Sequence, residues 1–184
     1  MREYRPFPDH DARNARQQRL EVPLMLRALG VPHDARILEV GCGRGVALPA
    51  IQHHRTPSRL VGLDIDDELL AEAAGTHAEL VCGDVRAMPF PDGSFDAIID
   101  FGTCYHIARP LDALREIARV LRPGGRLCHE TPLSQLISHP VRWGFRLLPW
   151  NAVPELEPAR RAGLWSVRLR TARVPPDRES PRAA

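Results

Sequence analysis

Lysine is absent from all 184 residues, so each of the 25 basic side chains is an arginine. That absence excludes a Schiff-base lysine and a phosphate-loop lysine, and with them a lysine-dependent aldolase or a P-loop kinase. Long apolar runs are missing too, and no stretch approaches the ~20 residues that span a bilayer. The N-terminus is polar and charged without an apolar signal region, so a cytoplasmic protein is expected. Cysteine is sparse and scattered. Cys42, Cys82, Cys104 and Cys128 lie far apart, three of them in or beside expected strands. That is the pattern of buried reduced thiols rather than of a metal cluster or a disulfide framework, and no metal is expected. Charge is uneven: residues 1–131 carry 16 Arg against 19 acids, and residues 132–184 carry nine Arg against four. A mildly acidic body with a basic tail piece suggests separate jobs, but the imbalance is too slight to imply nucleic-acid binding.

What is present is concentrated in residues 37–45, Ile-Leu-Glu-Val-Gly-Cys-Gly-Arg-Gly. Ile37 to Val40 reads as a short buried strand running straight into a glycine cluster. Gly41, Gly43 and Gly45 permit positive φ and let a ligand approach bare backbone. Helical sequence resumes near Val46. Strand, glycine loop and helix N-terminus in that order make a site for a nucleotide-like ligand at the carboxyl edge of a parallel sheet. A dinucleotide fingerprint needs its third glycine one residue later, where Val46 stands. Glu39 would also repel a pyrophosphate in a low-dielectric crevice, and suits instead a ligand that carries an ammonium group.

Around this centre the periodicities predict alternating helices and strands. A leading helix runs from Asp9 or Asp11 through Leu20 to Leu29, bent or restarted near Pro23 and closed by Gly30. Helices follow over 46–53, with Pro49 in the first turn, and over 67–74, with Asp66 as N-cap. Strands are expected over 59–65, 78–82, 95–101 and 126–130. Pro110 to Leu121 carries Leu111, Leu114, Ile117, Ala118 and Leu121 on one helical face, and Arg122-Pro123-Gly124-Gly125 stops it. Pro154 to Ala162 reads as a helix closed by Gly163. Leu164 to Val174 alternates as a strand, and 175–184 as a disordered tail.

The run Glu-Val-Gly-Cys-Gly-Arg-Gly resembles the first motif of the class I S-adenosylmethionine-dependent methyltransferases. Residues 83–100, Gly-Asp-Val-Arg-Ala-Met-Pro-Phe-Pro-Asp-Gly-Ser-Phe-Asp-Ala-Ile-Ile-Asp, resemble the second motif, and residues 114–127, Leu-Arg-Glu-Ile-Ala-Arg-Val-Leu-Arg-Pro-Gly-Gly-Arg-Leu, the third. The wording is similar to the small-molecule enzymes, including those that act on quinone rings, and the resemblance covers about residues 36–131. It implies a Rossmann-like α/β fold: a doubly wound, mostly parallel sheet of six to seven strands in three α/β/α layers. The implied organisation is an arm and cofactor-capping helix over 1–30, an S-adenosyl-L-methionine-binding core over 31–131, and a lid-like insert, helix and terminal strand over 132–174 that complete the same domain. The cofactor would be met by Glu39, Gly41, Cys42, Gly43, Asp64, Ile65, Asp84, Val85 and Phe101. Asp64, 19 residues after Gly45, would accept both ribose hydroxyls. Asp84 would accept the adenine amine, and the Val85 N–H would meet a ring nitrogen. Tyr4, Arg13 and Arg16 are candidates for the cofactor's carboxylate.

Transfer of a sulfonium methyl is an in-line displacement that needs positioning and, for an O–H or N–H nucleophile, a base. His106 is the first candidate base, because imidazole titrates near neutrality and the resemblance places 102–107 in a substrate-facing loop. Tyr105, Asp100 and the pair His129-Glu130 are alternatives. A small-molecule acceptor is expected rather than nucleic acid, since no Asn-Pro-Pro-Tyr run follows the fourth strand. Residues 133–150 set two of the three tryptophans between arginines, which suits an insert packed on the domain, a lid, or peripheral membrane contact. Two rival readings remain: a nicotinamide-dependent oxidoreductase, opposed by Glu39 and the early third glycine, and a non-catalytic partner subunit of the same fold.

Overall fold

The computed structural model of the chain describes residues 14–104, 106–129, 149–158 and 166–169. Its centre is a sheet whose middle strands are apolar on both faces. β1 (Arg36–Val40), β2 (Arg59–Asp64) and β4 (Phe95–Asp100) bury Ile37, Leu38, Val61, Ile98 and Ile99 completely. Strands of this kind need cover on both sides, which favours parallel pairing with crossover helices. With β3 (Glu79–Cys82) and β5 (Leu121–His129) they form the parallel body β3-β2-β1-β4-β5. Strand order reverses between β1 and β4, so a crevice opens outside their carboxyl ends. At the β5 edge, β7 (Ser166–Leu169) pairs antiparallel with β5, and β6 (Leu156–Pro158) antiparallel with β7.

Alternation along β1 and β4 divides the core in two. Leu38, Val40 and Ile98 pack with Leu114 and Ile117 of α4 (Pro110–Val120). Ile37 and Ile99 face the other way, onto Val22 and Leu26 of α1 (Val22–Leu29) and Leu48 and Ile51 of α2 (Leu48–Arg55). Each fully buried aliphatic contributes about 1.5–3 kcal/mol relative to exposure. A third helix, α3 (Asp67–Glu72), starts at Asp66, whose carboxylate accepts the Glu68 and Leu69 N–H groups as an N-cap.

Several boundaries differ from expectation for physical reasons. The bend at Pro23 takes the form of a π-helical turn, Gln17–Glu21, running directly into α1; the Val22 N–H reaches the Gln17 carbonyl, and proline supplies no donor to the turn before it. Gly30, at φ 59°, ends the helix as expected. The helix α4 ends at Val120, one residue before the expected Leu121, but β5 starts at Leu121 rather than Arg126, so Arg122 to Gly125 lies within the strand, with a register shift against β4 between Phe95 and Ala97. The helix expected over 154–162 is corrected at Leu156–Pro158, which is strand. Pro158 would remove a donor inside that helix, and Leu156 is buried at 4% exposure. Residues 159–165 lie outside the described residues, as do 133–148 and the tail. Trp150, at the end of the Trp- and Arg-rich segment, packs against the first core cluster.

The amino edge of the sheet is tied by one carboxylate. Asp96 accepts the Arg36 backbone N–H at 2.7 Å, the Arg36 guanidinium at 3.1 and 3.2 Å, and Arg122 Nε. That joins the first residues of β1, β4 and β5. On the α4 side, Arg119 donates to the Met88 and Phe90 carbonyls and to Asp92, while Glu116 accepts the Met88 N–H. These bonds fix the turn that carries Pro89 to Gly93.

Candidate functional site

The glycine loop is tied back to the end of β2 rather than opening toward an anion. The Gly41 and Cys42 N–H groups both donate to the Leu63 carbonyl, at 2.7 and 3.1 Å, and the Gly45 N–H donates to the Cys42 carbonyl at 2.8 Å. The Gly43 N–H donates to Asp64 Oδ2 at 2.7 Å. A phosphate cradle needs such donors aimed outward, so this loop is not one. Gly41 is the position where glycine is obligatory. Its φ is 66°, and a Cβ there would stand 1.8 Å from Thr103 Oγ1.

Asp64 ends β2 with its carboxylate held from both sides, Oδ2 by Gly43 and Oδ1 by the Asp66 N–H at 3.0 Å. Each oxygen keeps a lone pair for a further donor. Ile65 beside it is 67% exposed, an apolar surface next to a fixed acceptor. Cys82, at the end of β3, is exposed rather than buried, and its thiol points to the Ile65 carbonyl at 3.7 Å. The Cys42 thiol turns into the second core cluster, where burial, Glu39 and Asp64 push it up to about 12. Val85 is buried as well, at 7% exposure.

Glu39 is the buried acid of the site. It is 3% exposed, and Oε2 has no hydrogen-bond partner among the described residues. Burial, then the charges of Asp64 and Asp100, push its carboxyl up to about 8. A carboxyl so placed is mostly neutral at pH 7, and a cation brought beside it would draw it into the ionised form.

Asp100, at the carboxyl end of β4, shapes the loop that follows. Its Oδ1 accepts the Gly102, Thr103 and Cys104 N–H groups at 3.0, 2.7 and 3.3 Å. Burial raises its carboxyl, against the Cys104 and Thr103 hydrogen bonds and the charge of His129, its register partner on β5. Burial and Asp100 in turn drive the Cys104 thiol well above its ordinary value. So engaged, Asp100 is a poor choice for a solvent-facing base. Thr103 Oγ1 donates to the Val40 carbonyl at 3.2 Å, pinning this loop to the glycine loop. His106 is exposed in the next turn, its N–H on the Thr103 carbonyl at 3.0 Å. Tyr105 and Glu130 lie outside the described residues.

At the end of β3, Asp84 is engaged by Arg86. Its Oδ1 accepts the Arg86 N–H at 2.8 Å and Nε at 2.9 Å; Oδ2 accepts Nε at 3.0 Å and Nη2 at 2.5 Å. The Arg86 hydrogen bonds hold the Asp84 carboxyl below its usual range. Phe101 is half-buried against the second core cluster, below the crevice.

The leading helix docks on the site through a residue that no motif marks: Gln18 Nε2 donates to the Val46 carbonyl at 2.8 Å. The Arg16 guanidinium bonds Glu21, at 2.9 and 2.5 Å. Tyr4 and Arg13 lie outside the described residues. Among the described residues no group of His, Cys, Asp and Glu is arranged to hold a metal, and no helix is long and apolar enough to cross a membrane.

Residues 38–129 match the model of a methyltransferase domain. The chain is 43% identical over 105 residues to a ubiquinone/menaquinone biosynthesis C-methyltransferase of Methylobacterium nodulans, covering 52% of this chain and 41% of that protein. It is 37% identical over 94 residues to a fatty-acid O-methyltransferase of Mycolicibacterium smegmatis, covering 49% and 34%. Among solved structures it is similar to the YcgJ protein of Bacillus subtilis, with 26% identity, a TM-score of 0.60, and coverage of 74% of this chain and 68% of that one. The match thus spans less than half the length of these two curated relatives.

Proposed function

The chain belongs to the class I S-adenosylmethionine-dependent methyltransferases, and from that premise we propose that it moves a methyl group from S-adenosyl-L-methionine to a small-molecule acceptor. The observation that carries the choice of cofactor is Glu39. It is a buried carboxyl with one oxygen unsatisfied among the described residues, just before a glycine loop whose Gly41, Cys42, Gly43 and Gly45 N–H groups are already used. That arrangement suits a ligand with an ammonium group and suits a pyrophosphate poorly.

Asp64 would hold the ribose hydroxyls, Ile65 would lie against the purine face, and Asp84 with the Val85 backbone would meet the purine edge. Gly41, Cys42, Gly43 and Phe101 would shape the floor of the site. S-adenosyl-L-methionine supplies an activated sulfonium methyl, so the protein's work is to align an acceptor and, where that acceptor is an O–H or N–H, to take its proton. His106 is the side chain proposed for the proton, on a loop positioned by Asp100 and Thr103. A small-molecule acceptor is supported by the two curated relatives, one named for fatty acids and the other for ubiquinone/menaquinone biosynthesis.

Calorimetric titration with S-adenosylmethionine, S-adenosylhomocysteine and NAD, repeated on Asp64→Ala, tests the reading. Expected is micromolar binding of both adenosyl compounds, lost in the variant, with none for NAD. Failure of both adenosyl compounds to bind would withdraw the enzyme assignment.

A further inference from the structure

A carboxylate offers about four lone-pair directions, and Arg86 occupies both oxygens of Asp84 with three donors: its backbone N–H on Oδ1, Nη2 on Oδ2, and Nε shared between them. The same guanidinium reaches outward: Nη1 lies 3.5 Å from the Ala108 carbonyl, in the loop that carries His106. The pair is neither buried nor fully exposed, at 27% for Arg86 and 33% for Asp84. An exocyclic amine approaching Asp84 therefore finds its acceptor taken by a stronger, charged donor.

We propose that Arg86 is a specificity-determining residue of the purine corner, an internal rival that an adenine amine must displace from Asp84. This rests on the methyltransferase reading above, in which Asp84 faces the purine edge. Displacement does not disorder the acid. The Arg86 backbone N–H keeps its 2.8 Å bond to Oδ1 whatever the side chain does. The guanidinium, once released, has a second carboxylate within its field, Asp112 in the first turn of α4. Asp112 already pairs with Arg109 and Arg115 at 3.3 and 3.2 Å, so it attracts Arg86 without holding it as Asp84 does.

The arrangement makes the corner two-sided. Asp84 accepts from a 6-amino purine, whereas Arg86 can donate to the oxygen of a 6-oxo purine and need not move away to do so. Removing the guanidinium should favour the first ligand and disfavour the second. So exposed an ion pair is worth little, which corresponds to a gain of about three- to five-fold in affinity for the amino ligand.

The test is calorimetric titration of the full chain with S-adenosylhomocysteine and S-inosylhomocysteine. Wild type, Arg86→Ala, Arg86→Gln and Asp84→Asn are compared, with thermal melts to confirm folding. Expected is about three- to five-fold tighter adenosyl binding in both Arg86 variants, with inosyl binding unchanged or weaker, and weaker adenosyl binding in Asp84→Asn. Adenosyl binding by wild type that stays the same or weakens in both Arg86 variants overturns the proposal, as does an equal gain for both ligands. No adenosyl binding by wild type or any variant brings down the methyltransferase reading, and the proposal with it.

Discussion

Glu39 concentrates the electrostatics of the site in one proton. Burial and two neighbouring acids oppose its charge and push its carboxyl up to about 8. A ligand ammonium lowers that value, so binding at pH 7 should release close to one proton per ligand, roughly as a group one pH unit below its pKa must when it ionises. Titrations in two buffers of different ionisation enthalpy measure it. Glu39→Gln should abolish the release, and a release that persists in the variant would move the effect elsewhere. Affinity for the adenosyl cofactor should accordingly rise as pH goes from about 6 to 8. For His106, replacement by Ala should lower turnover by about 10²-fold or more with cofactor affinity unchanged, the scale of a lost general base. Unchanged turnover would take His106 out of the mechanism. At this scale the sequence was readable wherever a residue type has few structural jobs. Glu39 before a glycine loop and Asp64 at a strand end announced themselves. Gln18, Thr103 and the Arg86–Asp84 pairing did not. Gln18 and Thr103 act across 28 and 63 residues on backbone carbonyls, and no spacing rule reads such contacts. Arg86 is only two residues from Asp84, but the motif that marks Asp84 says nothing of what its neighbour's side chain does.

Among elements, the two loops at the carboxyl edge behave as one unit. Gly41 must remain glycine both for its left-handed backbone and because Thr103 sits where its Cβ would be. Gly41→Ala should cost about 2–5 kcal/mol, from the strained backbone and from overpacking together. Urea unfolding checks it. Adding Thr103→Gly should recover the overpacking share and leave the backbone share, a non-additivity that a double-mutant cycle reads directly. Simple addition of the two losses would mean that the loops are not coupled. The strands and α4 were legible from apolar periodicity, because parallel strands and an amphipathic helix carry strong patterns. The end of the chain was not. Pro154 and Glu155 look like a helix start, but a short segment beside an open sheet edge takes its conformation from pairing, and β6 is made by its neighbour β7 rather than by its own propensity.

For the molecule as a whole, stability should vary with pH on two opposed limbs. Asp96, Asp84, Glu79 and Glu116 are held below their usual values by arginine hydrogen bonds, so their contribution is present above the ordinary carboxylate range and is lost as pH falls through their lowered values. Glu39 has the opposite sign: its contribution is complete below 4.5 and gone once pH has risen through about 8. Thermal melts should therefore peak on the mildly acid side, near pH 5, and Glu39→Gln should flatten the alkaline limb while leaving the acid limb alone. An unaltered alkaline limb in that variant would assign the loss to other groups. Saturation with S-adenosylhomocysteine at about 100 times its dissociation constant should add about 2.7 kcal/mol, a rise of roughly 5–10 °C in Tm for a chain of this size. The knot of arginines around Asp96 adds a mechanical consequence. Three strands are lashed together at one end and left to their loops at the other, so the sheet works like a hand gripped at the wrist. Amide protons should thus exchange most slowly near Arg36, while the two hydrogen-bonded loops beyond Val40 and Asp100 open first and together, letting the crevice widen for a ligand without loosening the grip below it.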